Sequence, residues 1–270
     1  MMADFFIPLS CVFFLFSLFS GRHRRYTAIL AWITIIIVLF SGIPQWLEES
    51  NILYPVMAVL SLPFLAATVR MLLRDEPSVL HLTRAAGVAF LIYAPFGFFP
   101  PAGDALISLV VTHTGMILDL LGFSYYQVFW NTFGHNSLRV EIILACTGIQ
   151  AIAIMLGVAA AVPTTIRQKS LSLLLIVPTI YILNLFRNAG VIIAYTDQWF
   201  AALPDLSGSP EFGFSSFFWA HNVIAEGVAL IFLIGLAYSL FCLIPDLGDF
   251  ATTLTGDYQD EIKKMCGRGR

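Results

Sequence analysis

Charged residues are scarce in this chain. Asp, Glu, Lys and Arg make up only 11% of its 270 residues, whereas hydrophobic residues make up 59%. Soluble domains carry about 25% charged residues, so the composition excludes an ordinary soluble protein. Disordered chains and nucleic-acid-binding proteins need more charge still, and the net charge of −3 indicates no polyanionic partner. The sequence therefore predicts a polytopic membrane protein that does not bind nucleic acid.

Cysteine is also scarce, and its spacing excludes two common uses. The sequence has four cysteines, which lie far apart without a Cys-x-x-Cys pair: Cys11, Cys146, Cys242 and Cys266. We therefore expect neither a disulfide framework nor a zinc site, and we predict no metal and no cofactor. Three of the four are expected to be packing residues or idle thiols. Cys146 is the exception, because other reactive side chains are predicted at its depth.

Long apolar runs are abundant and predict the membrane spans. A spanning helix needs about 20 mostly apolar residues, and a slightly shorter run at 4–20 is expected to be a retained first helix. Basic residues follow that run, whereas in a signal peptide they precede it. The six longer segments are 26–43, 51–73, 83–99, 141–165, 170–195 and 217–245.

The positions of the basic residues predict the orientation. The positive-inside rule places 12 of the 14 lysines and arginines in cytoplasmic loops or a cytoplasmic tail. An even number of crossings must then separate residues 100 and 140, so 103–121 is expected to lie on, or re-enter from, the outer face as an interfacial helix. The predicted fold class is an all-α transmembrane helix bundle of seven to eight spans, the eighth arising only if 122–140 enters the bilayer.

This topology predicts one integral membrane domain with four parts. The N-terminal helices occupy 1–99, and an outer-face segment occupies 100–140. Catalytic helices follow at 141–245, and a cytoplasmic tail covers 246–270.

The two cations left on the outer side are Arg139 and Arg187. Segments 141–165 and 170–195 are predicted to form a helical hairpin, in which Cys146 and Arg187 differ in depth by only about 4.5 Å at 1.5 Å per residue. His221 opens the last helix at a similar level. Because cations inside a membrane are costly and usually functional, these three residues predict a site between helices.

The three side chains together suit acyl transfer through a thioester. An ionised thiol is a strong nucleophile, histidine exchanges protons near neutral pH, and arginine can stabilise an oxyanion. Five further residues are expected to support them. Thr147 and Gly148 would let a peptide approach the sulfur, Asn184 and Asn188 would orient the guanidinium, and Glu226 would be buried near His221.

The motif around these residues resembles the exosortase/archaeosortase family, and its archaeosortase type most of all. The resemblance rests on ACTGIQ at 145–150, on FRN at 186–188 and on a basic residue opening the next helix, and it is most specific over 141–226. It implies that Cys146 is the nucleophile, that Arg187 stabilises the transition state and that His221 fills the third catalytic position as general acid or base.

The resemblance also implies the reaction. Such enzymes are membrane cysteine proteases or transpeptidases that cut a C-terminal sorting signal from secreted or surface proteins. In the archaeosortase type that this chain resembles, the signal is a Pro-Gly-Phe motif followed by an apolar helix and a basic tail. The new carboxyl end is joined to a membrane lipid, which makes secreted proteins and that lipid the expected partners. We expect the site on the extracytoplasmic side of an archaeal cell membrane; the sequence leaves the oligomeric state open.

Other functions fit parts of the sequence. A transporter or channel would explain intramembrane charges, although no inverted repeat is present. A non-catalytic assembly subunit would leave Cys146 unexplained. Serine or metallo intramembrane proteases fit least, because the sequence contains neither a Gly-x-Ser-x-Gly nor a His-Glu-x-x-His motif.

Overall fold

The computed structural model describes residues 2–19, 21, 23–44, 53–206 and 212–267. The chain divides into two compact units. The first unit comprises Met1–Ala94, Ala153–Ser170 and Leu240–Arg270, and the second comprises Pro95–Ile152 and Leu171–Ser239.

Nine helices dominate the part of the chain that the structure describes. They are α1 (Met2–Phe19), α2 (Arg24–Ser41), α3 (Leu53–Leu73), α4 (Pro77–Phe98), α5 (Pro100–Leu120), α6 (Ile149–Ala159), α7 (Ile166–Thr196), α8 (Phe214–Leu243) and α9 (Asp246–Met265). Two of them begin with proline, at Pro77 and Pro100. Proline suits the first helical turn because its missing N–H would have no partner there.

The apolar helices confirm the prediction of a multi-pass, mainly helical membrane protein. Within the described ranges, six are long and apolar enough to cross a membrane, and Phe6–Phe19 and Ile149–Ala159 are shorter apolar helices. The six candidate spans are Arg24–Ser41, Pro55–Leu73, Pro77–Phe98, Pro100–Leu120, Ile166–Thr196 and Phe214–Leu243.

The segment predicted as an interfacial helix, 103–121, belongs to α5. This helix has 21 residues, and its acidic residues Asp104 and Asp119 lie near its two ends. Its centre is therefore apolar, and by length and composition α5 is one of the six candidate spans. The interfacial position was inferred from the side of the membrane on which other loops are predicted to lie, and it stays a prediction.

The predicted helix 141–165 is wrong at both ends, because α6 begins at Ile149 and ends at Ala159. Residues before it form an antiparallel sheet instead, with strands β1 (Tyr126–Phe129), β2 (Thr132–His135) and β3 (Leu138–Glu141) in the order β1-β2-β3. Asn136 and Ser137 both adopt positive φ angles, of 47° and 67°. Two such residues make the tight turn that joins hairpin strands, so the 122–140 region folds back on itself and forms no helical eighth span.

The core of the second unit joins this sheet to two helices. Phe133, Val140 and Ile142 pack in one cluster with residues of α5 and α7. The helix residues buried in that cluster are Ile107, Val110, Val111, Leu118, Leu185, Ala189, Ile192 and Tyr195. The sheet is thereby held against α7, and the chain leaves β3 directly into the segment that carries Cys146.

In the first unit, polar contacts hold α9 against other helices. The nearly buried carboxylate of Glu261 lies 2.8 Å from Arg74 and 3.5 Å from Arg70. The Tyr258 hydroxyl lies 2.6 Å from that of Thr68, and burial raises the pKa of Tyr258 to about 12. These contacts therefore hold α9 against the other helices of the first unit.

One glycine permits close helix packing in the first unit. A Cβ at Gly157 in α6 would lie 2.5 Å from the carbonyl oxygen of Ala85 and 3.0 Å from the Cβ of Ala89, both in α4. We predict that Gly157→Val destabilises the protein by about 1–3 kcal/mol, as overpacking usually does. Thermal unfolding in detergent measures the effect.

Gly227→Val is the matched control, because a Cβ at Gly227 in α8 would meet no atom within 4 Å. Equal melting temperatures for the two variants would contradict the packing assigned to Gly157.

Candidate functional site

Cys146 lies in a short 3₁₀ turn, Leu144–Thr147, between β3 and α6. Its N–H donates to the carbonyl oxygen of Ile143 at 2.8 Å. Its own carbonyl oxygen accepts two hydrogen bonds from α7, from the amide of Asn184 at 2.6 Å and from that of Asn188 at 2.9 Å. The cysteine backbone is therefore fixed to the helix that carries Arg187.

The residues after Cys146 shape the turn. Gly148 has a φ of +79°, a left-handed conformation that glycine adopts without strain. The Thr147 hydroxyl donates to the Leu144 carbonyl at 2.7 Å and accepts the Ile149 N–H at 3.3 Å, which satisfies a free donor at the start of α6. Thr147 is almost fully buried. Thr147 therefore stabilises the turn, and its buried side chain does not leave open space beside the sulfur.

Arg187 contacts His221 across the space between α7 and α8. The guanidinium Nη2 lies 3.1 Å from the imidazole Nε2. Because arginine can only donate, Nε2 must accept, and the ring proton must lie on Nδ1. Nδ1 lies 2.7 Å from the Oδ1 of Asn222, which accepts that proton's hydrogen bond. His221 is therefore a neutral imidazole with both nitrogens engaged.

His221 lies in a π-helical stretch of α8, Phe218–Ala225. Such wide turns occur frequently at functional sites. Its ring stacks on Phe217 with a centroid distance of 5.0 Å, and Phe217 in turn meets Tyr195 of α7 edge-on at 5.3 Å. These aromatic contacts fix the imidazole toward α7.

The Cys146 thiol is half-buried and packs against the apolar cluster of α5, the sheet and α7. Within the described ranges, its sulfur forms no hydrogen bond with Arg187 or His221. The structure therefore joins Arg187 to His221 directly, and joins Cys146 to the Arg187 helix through its backbone.

A cavity of about 520 Å³ adjoins this group inside the second unit. Residues of α7 and α8 form its two long walls, and Ala145, Gly148 and Gln150 line it beside the cysteine turn. Arg187 and Asn184 also line it, whereas most of the remaining surface is apolar. A concave, mainly apolar space with a few polar groups is typical of a ligand site.

Two further sequence expectations need correction. The amides of Asn184 and Asn188 were expected to orient the guanidinium, but both donate to the Cys146 carbonyl. Glu226 was expected to be buried, but its side chain is exposed on α8. Hydropathy identified α8 as a span without indicating which of its faces packs.

Several contributors were not identified from the sequence. Asn222 fixes the tautomer of His221, Phe217 stacks on its ring, and Gln150 lines the cavity. Gln150 belongs to the ACTGIQ motif and Asn222 directly follows His221. Their closeness to predicted site residues in the sequence could have identified both. The stacking of Phe217 depends on the π-helical stretch, which no sequence pattern indicated.

Comparisons with known proteins find similar sequences. The family described as "Transmembrane exosortase (Exosortase_EpsH)" matches residues 2–221. Archaeosortase A of Haloferax volcanii is 27% identical over 273 residues, covering 89% of this chain and 90% of the relative. Archaeosortase A of Natronomonas pharaonis is 29% identical over 224 residues, covering 76% and 70%. No solved structure matches the chain.

The two asparagine bonds predict how firmly the cysteine turn is held. In a background with Cys11, Cys242 and Cys266 replaced by serine, Asn184→Ala combined with Asn188→Ala should accelerate maleimide labelling of Cys146. Each lost bond contributes about 0.5–1.5 kcal/mol, so the expected increase is about two- to tenfold per bond. Mass spectrometry of the labelled protein over time measures the rate.

Gln127→Ala serves as the control, since the Gln127 amide donates to the Trp130 carbonyl within the β1–β2 hairpin and not to the cysteine turn. An unchanged labelling rate in the double variant would show that the two asparagines do not fix the cysteine turn in place.

Proposed function

The chain belongs to the transmembrane exosortase family, and we propose that it is a membrane cysteine transpeptidase of the archaeosortase type. Family membership supports a sorting transpeptidase role, and it disfavours the transporter and channel alternatives. The proposed substrates are secreted proteins that end in a Pro-Gly-Phe motif, an apolar helix and a basic tail. The proposed location is the extracytoplasmic side of the cell membrane.

The proposed reaction has two acyl-transfer steps. The Cys146 thiolate attacks the carbonyl carbon of the scissile peptide bond, the C–N bond breaks, and the amine leaves with a proton. The carboxyl part of the substrate stays on sulfur as a thioester. A nucleophilic group of a membrane lipid, such as a hydroxyl, then attacks the same carbon, gives up its proton and displaces the thiolate. No external oxidant or reductant is needed.

The Arg187–His221 contact suggests how the thiol is activated. In the structure the lone pair of His221 Nε2 is occupied by the guanidinium, so it cannot accept the thiol proton. We propose that the carbonyl oxygen of the bound substrate takes the place of His221 as the acceptor for Arg187. Nε2 then becomes free to accept the proton of Cys146, and Arg187 is already placed to stabilise the oxyanion. Productive substrate binding would thus free the base.

One observation carries this proposal, namely that α7 holds all the components together. Asn184 and Asn188 bind the Cys146 carbonyl, and Arg187, which lies between them in sequence, binds His221. A rigid helix keeps such groups in fixed geometry, which catalysis requires. The small lining residues Ala145 and Gly148 leave space on the cavity side of the cysteine turn.

Cys146→Ala should abolish cleavage of a secreted reporter that carries the Pro-Gly-Phe signal, because no thioester can form without the sulfur. Reporter size on gels and mass spectrometry of its new C-terminus measure the reaction in a strain that lacks its own enzyme. Cys242→Ala, which removes an exposed thiol of α8, should process the reporter normally. Processing by Cys146→Ala at the rate of the unchanged enzyme would refute the nucleophile assignment.

Arg187→Lys should reduce turnover by about 10²–10³-fold, the usual cost of losing an oxyanion donor. A lysine keeps the charge but lacks the planar, multi-donor guanidinium that passes from His221 to the carbonyl oxygen in the proposed mechanism. His221→Ala should be impaired to a similar degree, and the same reporter assay compares the variants at equal membrane levels.

Arg139→Lys is the matched control, because Arg139 is an exposed cation on β3. Near-normal turnover of Arg187→Lys would remove the oxyanion role. A crippled Glu226→Gln beside an active His221→Ala would move the acid–base role to the carboxylate.

A further inference from the structure

The cavity between α7 and α8 extends along both helices. Its walls extend along α8 from Ala220 to Leu236 and along α7 from Ile180 to Ala194. At 1.5 Å per residue these walls are about 24 Å and 21 Å long. The cavity is therefore an elongated space that follows both helices.

The wall beyond Arg187 toward Leu236 is suited to a hydrocarbon chain. Ile224, Val228, Phe232 and Leu236 recur every fourth residue and line the cavity along one face of α8. Two small residues of α8, Ala225 and Ala229, line the cavity beside this row, and Gly190, Ala194 and Ala220 line its other end. This tract has no charged lining residue apart from Arg187 among the residues that the structure describes.

The polar level of the cavity carries one positive charge. The described partner of Arg187 is His221, which is neutral because its Nε2 accepts the guanidinium proton. Among the described residues no carboxylate lies within 4.0 Å of the guanidinium, and Asp197 pairs with His135 at 3.2 Å. A cation in an apolar helix is costly unless it is paired, so this level of the cavity favours an anionic group.

We propose that this cavity binds one anionic membrane lipid, with a hydrocarbon chain along Ile224–Leu236 and a phosphate group at Arg187. The inference rests on the proposed function in one respect, namely that this lipid is the acyl acceptor. A head group at Arg187 would lie beside the cysteine turn, because Ala145 and Gly148 line the same space. A lipid held there can attack the thioester without leaving the bilayer.

The binding claim is testable without any sorting reaction. Cys146→Ala protein, which cannot form a thioester, is placed in nanodiscs that contain phosphatidylglycerol with a photoreactive diazirine in one chain. Mass spectrometry should find crosslinks concentrated on the cavity face of α8, at Val228 and Phe232. The outward residues Leu230, Ile231 and Ile234 report the background from bulk lipid.

A pair of glycine variants separates the cavity from the general lipid surface. Both Gly190 and Gly235 have room for a Cβ, but only Gly190 lines the cavity. Gly190→Leu should reduce crosslinking at Val228 and Phe232 by about tenfold, equivalent to about 1.4 kcal/mol of binding, whereas Gly235→Leu should leave it unchanged. A zwitterionic phosphatidylcholine probe should label the cavity face less than phosphatidylglycerol, and Arg187→Gln should remove that preference.

Three results would overturn the proposal. The first is equal crosslinking on the cavity face and the outward face of α8. The second is an equal loss in Gly190→Leu and Gly235→Leu. The third is displacement of the lipid by a synthetic apolar helix that itself crosslinks to Val228, which would assign the cavity to the substrate's helix. Failure of the unsubstituted protein to cleave the Pro-Gly-Phe reporter, with lipid crosslinking intact, would instead refute the proposed reaction while leaving this site in place.

Discussion

The site depends on the two hydrogen bonds that α7 donates to the Cys146 carbonyl. Residues 144–147 form a single 3₁₀ turn, so that oxygen receives no bond from a continuing helix. A polar backbone group left unsatisfied in apolar surroundings costs about 1–3 kcal/mol, and more within a bilayer. Asn184 and Asn188 remove this cost at 2.6 and 2.9 Å. They allow a non-helical turn to exist here, and they fix the sulfur-bearing residue to the helix of the cation.

The choice of a neutral imidazole as the partner of Arg187 has a chemical consequence. A carboxylate would stabilise the guanidinium more strongly, but it would also neutralise the charge that an oxyanion or a phosphate needs. The lone pair of His221 Nε2 accepts a hydrogen bond from the Arg187 guanidinium, and the positive charge of Arg187 remains. The stacking of Phe217 and the bond to Asn222 hold the ring without adding charge. The pair therefore keeps its electrostatic capacity for a ligand.

Sequence reasoning succeeded where hydropathy determines the answer, since long apolar runs predicted the helical membrane fold. The FRN motif and the basic residue that opens the next helix indicated Arg187 and His221, which lie in contact; their catalytic roles stay predictions. Sequence reasoning failed at 141–148, because a short apolar run fits a strand or a helix equally well. Positive φ angles at Asn136 and Ser137 turn the chain into a hairpin before α6 begins. The partners of Asn184 and the exposure of Glu226 depend on tertiary packing, which hydropathy does not encode.

The lipid bilayer that surrounds this protein explains both the apolar cavity and the cation within it. An apolar cleft in water is costly, whereas a cleft in a bilayer can fill with hydrocarbon at little cost, because lipid chains are as apolar as its walls. Hydrocarbon alone would enter without selection. A single unneutralised guanidinium changes this, since it favours those chains whose head group carries negative charge. In the proposed reaction, Arg187 would serve two partners in succession, the substrate carbonyl during cleavage and the lipid phosphate during transfer. One charge in a largely apolar cavity suffices for both because little else there competes for it.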